Sequence, residues 1–161
     1  MKTLVFEKNK SLSYLTRRYS EFIEYLPKIT NLNDYLYDYK IHELNVGDCP
    51  ARPIWHYDGT NNPIHEETVN YHLFLSGDAI CPTEFFVNEI SFLSNSNSTE
   101  DDVNEHATWW IKSNEKTFQL PYDTWYSYTN KNLHCATHCV KAGTRILIRM
   151  KENILSKAKG E

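Results

Sequence analysis

Glycine is scarce: five in 161 residues. None falls in a Gly-x-Gly-x-x-Gly or Gly-x-x-x-x-Gly-Lys-Ser/Thr string, which excludes folds that cradle phosphates in glycine-rich loops. No Gly-x-Ser-x-Gly elbow is present either, so an α/β-hydrolase is excluded. Long apolar runs are missing. The first residues, Met1 to Glu7, hold only Leu4, Val5 and Phe6 in succession before a charge, with neither a secretory core nor a membrane-length stretch. There is no excess of positive charge: 17 Lys and Arg stand against 21 Asp and Glu, a net charge of −4. Non-specific nucleic-acid binding, which runs on phosphate neutralisation, is therefore not expected. Cysteine is limited to Cys49, Cys81, Cys135 and Cys139. Without a secretory leader these read as reduced thiols, and the expectation is a soluble cytoplasmic protein with no membrane partner.

Apolar surface is plentiful. Hydrophobic residues make up 40% and aromatics 14%, including 11 Tyr, enough for one packed domain over residues 1–161. Leu12, Leu15, Tyr19, Phe22, Ile23 and Leu26 recur at three- and four-residue steps, so a helix is expected up to Pro27. Tyr35, Tyr37, Tyr39 and Ile41 then alternate with Asp34, Asp38 and Lys40, a strand pattern whose tyrosines are expected to cover the core. Further strands are expected at 52–57, 70–76, 83–92, 108–112, 116–120, 124–129, 132–136 and 144–150, with Trp109 and Trp110 on a hairpin. The polar tract 94–102 reads as a mobile loop. Many short strands between turn signals predict a mainly β jelly roll or barrel. Residues 1–46 are expected to form a helical and strand cover, 47–150 the β core and 151–161 a C-terminal tail.

His56-Tyr57-Asp58 ends the apolar run Pro53-Ile54-Trp55. On an extended strand His56 and Asp58 share a face and present two adjacent metal ligands. One further His from a facing strand completes a two-His, one-carboxylate facial triad, the ligand set of non-haem Fe(II) oxygenases. The pair alone is weak, since about one His-x-Asp/Glu is expected by chance, and His65-Glu66-Glu67 is a second. The last strand alternates: Arg145, Leu147 and Arg149 share one face, and Ile146, Ile148 and Met150 the other. Two arginines on an inward face call for an anion, because unpaired buried charge is costly. A tight turn over Val140–Gly143 would pair His138 with Arg145 and His134 with Arg149.

In this order, His56-x-Asp58, then His134, then Arg145 on the final strand, the chain resembles the 2-oxoglutarate- and Fe(II)-dependent oxygenase superfamily. Tyr71-His72-Leu73-Phe74-Leu75, Pro82-Thr83-Glu84-Phe85-Phe86 and Trp125-Tyr126-Ser127-Tyr128-Thr129 share in the likeness, which spans residues 47–150. The resemblance implies a double-stranded β-helix of the cupin-like, jelly-roll kind. It implies Fe(II) on His56, Asp58 and His134, a 2-oxoglutarate carboxylate on Arg145, and O2 as co-reactant. The expected outcome is hydroxylation of a C–H bond in a small molecule or side chain, with Arg149 meeting that substrate. Other readings stay open. His138 competes with His134 for the third ligand position. A cupin-like metal enzyme without 2-oxoglutarate would share the fold. Cys135 and Cys139, with the nearby histidines, could hold a structural zinc in a binding module.

Overall fold

A computed structural model of the chain describes residues 1–59, 66–89, 98–113 and 115–154. The chain is mainly β, with antiparallel pairing throughout its two sheets. Its elements run β1 (Lys2–Lys10), α1 (Leu12–Arg18), α2 (Phe22–Tyr25), β2 (Tyr35–Leu44), β3 (Asn70–Ser76), β4 (Thr83–Phe86), α3 (Glu100–Lys112), β5 (Thr117–Gln119), β6 (Trp125–Thr129), β7 (His134–Ala136) and β8 (Gly143–Glu152). The larger sheet has the order β1-β2-β8-β3-β6 and the smaller one β5-β4-β7. No described helix is long and apolar enough to cross a membrane.

Two-residue alternation on β2 and β8 explains how the larger sheet is covered. Tyr37 and Tyr39 of β2 and Ile148 and Met150 of β8 point to one side, where they join Leu15 of α1, Phe22 of α2 and Phe74 of β3 in a fully packed cluster. The helices therefore lie on the tyrosine face. The expected single helix is broken: Tyr19 caps α1 in extended conformation and Ile23 is exposed. Its stripe survives because Leu15 and Phe22 both reach the sheet. Tyr37 Oη donates to the Leu32 carbonyl and Tyr39 Oη to the Glu21 carboxylate, so neither phenol is buried unpaired.

Several expectations are corrected. The strand expected at 108–112 is the end of α3, and the tract 94–102 runs into its first turn. The Thr99 side chain accepts from the Asp102 backbone while Asp102 accepts from that of Thr99, a capping box that starts the helix. Arg52 pairs with Glu100 and Asp101 in that turn. Residues 94–97 of the tract, and His65, lie outside the described residues. The segment 52–57 makes only a bridge at His56, and of 83–89 only β4 is strand, residues 90–92 lying outside the described residues. A strand not expected at all, β1, forms the edge of the larger sheet.

The expected β7–β8 hairpin does not form. β7 pairs with β4 in the smaller sheet, whereas β8 pairs with β2 and β3 in the larger. The chain crosses between sheets over residues 137–142, and the crossing is held by close backbone approach. Gly77 has φ of +106°, and a Cβ there would collide with the Thr144 carbonyl; Ala79 N donates to that same carbonyl. Asp78 accepts from Thr144 N at 2.6 Å. These contacts set the register at which Arg145 enters the sheet.

Candidate metal centre

His56 and His134 are a bonded antiparallel pair. His56 N donates to His134 O at 3.0 Å and His134 N to His56 O at 3.1 Å, which places the two side chains next to each other on one face. Their ring centroids are 4.4 Å apart. Asp58, two residues beyond His56, falls on that same face. Its Oδ1 is 3.7 Å from His56 Nε2 and its Oδ2 is 3.3 Å from His134 Nε2. The three ligand atoms lie within 4.8 Å of one another, the one such group of three among the described residues.

Both imidazoles are oriented by backbone. His56 Nδ1 meets the Ile54 carbonyl at 3.0 Å and His134 Nδ1 the Asn132 carbonyl at 3.1 Å. Each contact is to an acceptor, so Nδ1 carries a proton and Nε2 is the nitrogen turned to the shared point. Metal-bound histidines are held in this way. Phe85 stacks on His134 with centroids 5.0 Å apart. Asp58 is nearly enclosed; Tyr128 Oη donates to its Oδ2 at 2.6 Å and Arg149 Nη1 lies 2.9 Å from its Oδ1. Burial alone would raise the Asp58 pKa. His134, His56 and Arg149 outweigh it and hold the carboxyl well below the usual range. Burial would likewise lower the His56 pKa, but hydrogen bonding to Asp58 leaves it raised. With both imidazoles neutral, the donor set of two nitrogens and one ionised oxygen with an open side fits a six-coordinate divalent ion.

The cavity beside this group has a volume of about 130 Å³. Arg149 stands at its metal end and Arg145 four residues along β8, about 13 Å of strand away. Arg149 is bound on two sides. Besides Asp58, it meets Asp38 of β2, whose Oδ2 is 2.7 Å from Nη2 in a charge contact rather than an aligned hydrogen bond. Asp38 is itself fixed by Asn9 N, which donates to its Oδ1 at 2.9 Å. Arg145 is different. It is 4% exposed and donates from Nε to the Cys81 carbonyl at 2.7 Å and from Nη2 to Thr83 Oγ1 at 3.2 Å. Both acceptors are neutral, and among the described residues no carboxylate pairs with it. A buried cation with only neutral partners is uncommon, because charge withdrawn from water is costly without a counter-charge.

His134, rather than His138, therefore stands with His56 and Asp58; His138 is exposed. The four thiols are free and, among the described residues, none joins a three-ligand group. Cys135 packs with Trp55, Tyr57 and Phe86, and Cys139 with Leu44 and Cys81. Cys135→Ser and Cys139→Ser are accordingly expected to leave metal content unchanged when measured by elemental analysis. Loss of metal in either variant would restore the thiolate site. The residues not anticipated are Asp38, Lys40, His42, Thr83 and Tyr128, all lining the cavity. The period-two pattern of β2 carried the first three, but only its tyrosine face drew a reading. No family model matches this chain, and no curated protein or solved structure does.

Proposed function

We propose that the chain is a non-haem Fe(II), 2-oxoglutarate-dependent oxygenase built on a double-stranded β-helix. The strand order supports the fold. From β2 onward, successive strands fall in the larger sheet, the smaller (at the His56 bridge), the larger, the smaller twice, the larger, the smaller and the larger. This alternation is what two intertwined antiparallel sheets of a jelly roll require. The single observation that carries the function is one cavity holding both the His56–Asp58–His134 group and the uncompensated Arg145.

In this reading His56, Asp58 and His134 hold the ion, while Arg145 and Thr83 receive the far carboxylate of 2-oxoglutarate. Ferrous ion held there, with 2-oxoglutarate and O2, would supply the chemistry for converting a C–H bond to C–OH, with succinate and CO2 as the coproducts. The protein's own residues prepare that event. Tyr128 and Arg149 fix the plane of the Asp58 carboxylate, and the backbone carbonyls fix both imidazoles. Arg149, expected from the sequence to meet the prime substrate, serves here chiefly to orient Asp58. The substrate class stays a small molecule or an exposed side chain, and the four free thiols favour a cytoplasmic setting.

The test is turnover with Fe(II) and O2, following 2-oxoglutarate and succinate by NMR. Slow, iron-dependent conversion of 2-oxoglutarate to succinate is expected even without prime substrate. Bound iron with no consumption of 2-oxoglutarate under any substrate would favour the cupin-like alternative. Purification with one tightly held zinc would favour a binding module.

A further inference from the structure

β2 sends a row of polar side chains into the cavity, and their partners differ. Asp38 is opposite Arg149 and meets it; Lys40 is opposite Leu147; His42 is opposite Arg145. Neighbours across a sheet share a face, so His42 and Arg145 stand side by side at the end of the cavity away from the metal group. Lys40 turns aside, its Nζ lying 5.0 Å from the centroid of the Phe6 ring at the β1 edge. His42 does not turn aside. It is 3% exposed, lines the cavity, and its Nδ1 is buried with no hydrogen-bond partner among the described residues.

A buried ring nitrogen without a partner is uncommon and costly, and so is a buried guanidinium with only neutral acceptors. Here the two occur together. Both needs are met at once by one ligand group that accepts from two directions, which a carboxylate does with its two oxygens. Burial and the charge of Arg145 push the imidazole pKa down, so the ring is neutral before a ligand arrives and does not repel its neighbour. A neutral ring still donates through one nitrogen.

We propose that His42 donates from Nδ1 to the same carboxylate that Arg145 holds, making the far end of the cavity a two-armed receptor that selects 2-oxo diacids over 2-oxo monoacids. This rests on the oxygenase reading for the identity of the ligand, but the residue and its selectivity come from the geometry of β2 and β8. Arg145 supplies charge and Thr83 orients it; His42 adds a second donor at a fixed angle, which a longer or shorter diacid cannot meet while its 2-oxo end remains at the metal.

The test is calorimetry on the Mn(II)-loaded protein without O2, with two ligands: 2-oxoglutarate, and 2-oxopentanoate, which has the same chain length and no far carboxylate. His42→Leu should weaken 2-oxoglutarate about 10- to 100-fold, the range for one hydrogen bond to a charged group, and leave 2-oxopentanoate unchanged. His42→Asn, whose amide nitrogen can stand where Nδ1 stands, should restore most of the loss. Equal weakening of both ligands would assign His42 a structural role and overturn the proposal, as would no weakening of either. Should His42→Leu not fold, the ratio of the two affinities in His42→Asn and His42→Gln decides. Asn is expected to keep the wild-type ratio and Gln to lose it, and equal ratios would overturn the proposal. Wild type that binds 2-oxopentanoate as tightly as 2-oxoglutarate overturns only this selectivity. Wild type that binds neither overturns the oxygenase reading as well.

Discussion

Asp58→Ala should abolish divalent-metal binding while the protein still melts cooperatively. The variant removes the only oxygen ligand of the group and leaves two imidazoles, so the loss should exceed the roughly 10- to 100-fold cost of deleting an outer partner. Cooperativity should survive because the arrangement around Asp58 does not depend on it alone. Arg149 keeps its contact with Asp38, and the imidazoles keep their backbone carbonyls. Asp58→Asn serves as the companion, retaining shape and an acceptor for Tyr128 while discarding the charge. The measurement is a Mn(II) titration by calorimetry alongside a thermal melt. Retention of metal by Asp58→Ala would show that the ion, if any, is held elsewhere. Arg149→Ala should give the smaller, outer-partner loss, about 10- to 100-fold in metal affinity, because Arg149 touches Asp58 and not the ion site itself.

Arg145→Ala should have the opposite signature, leaving metal affinity near wild type and raising the Kd for 2-oxoglutarate. Truncating one partner of a buried, charge-assisted pair costs roughly 2–5 kcal/mol, about 30-fold or more in affinity. Arg145→Lys should recover part of this, since an ammonium cannot reproduce the planar fork that also reaches the Cys81 carbonyl and Thr83. Calorimetry with the Mn(II)-loaded variants separates the two constants. Wild-type 2-oxoglutarate affinity in Arg145→Ala would remove Arg145 from the site. If metal were lost instead, its role would be to hold the crossing near Cys81.

The parts of the molecule that were legible in the sequence are those with a short, strict period. Arg145, Leu147 and Arg149 do face away from Ile146, Ile148 and Met150, and β3 spans the expected residues. His56 and Asp58 share a face because two residues always do in extended chain. Pairing between distant strands was not legible. The proximity of His134 to His56 comes from a bridge across 78 positions, and that of Arg149 to Asp58 from packing between sheets, not from the supposed hairpin. Helix α3 was concealed by its polar approach, although Thr99 and Asp102 at capping spacing, with Val103 and Ala107 behind them, marked its start and buried stripe. The inner face of β2 was missed for a physical reason. Both sides of that strand are covered, so its tyrosines pack under the helices while Asp38 and His42 are buried as polar groups, and alternation alone does not say which side holds the cavity.

The measurement closest to the central claim is an anaerobic absorbance titration of the Fe(II)-loaded protein with 2-oxoglutarate. Chelation of ferrous ion by a 2-oxo acid produces a visible metal-to-ligand charge-transfer band, so the readout requires metal and cosubstrate to meet in one site. The band should appear and saturate in wild type and in His138→Ala, and be absent in His134→Ala and Asp58→Ala. Bound iron without the band in wild type would contradict the account, as would a band that survives in His134→Ala and vanishes in His138→Ala.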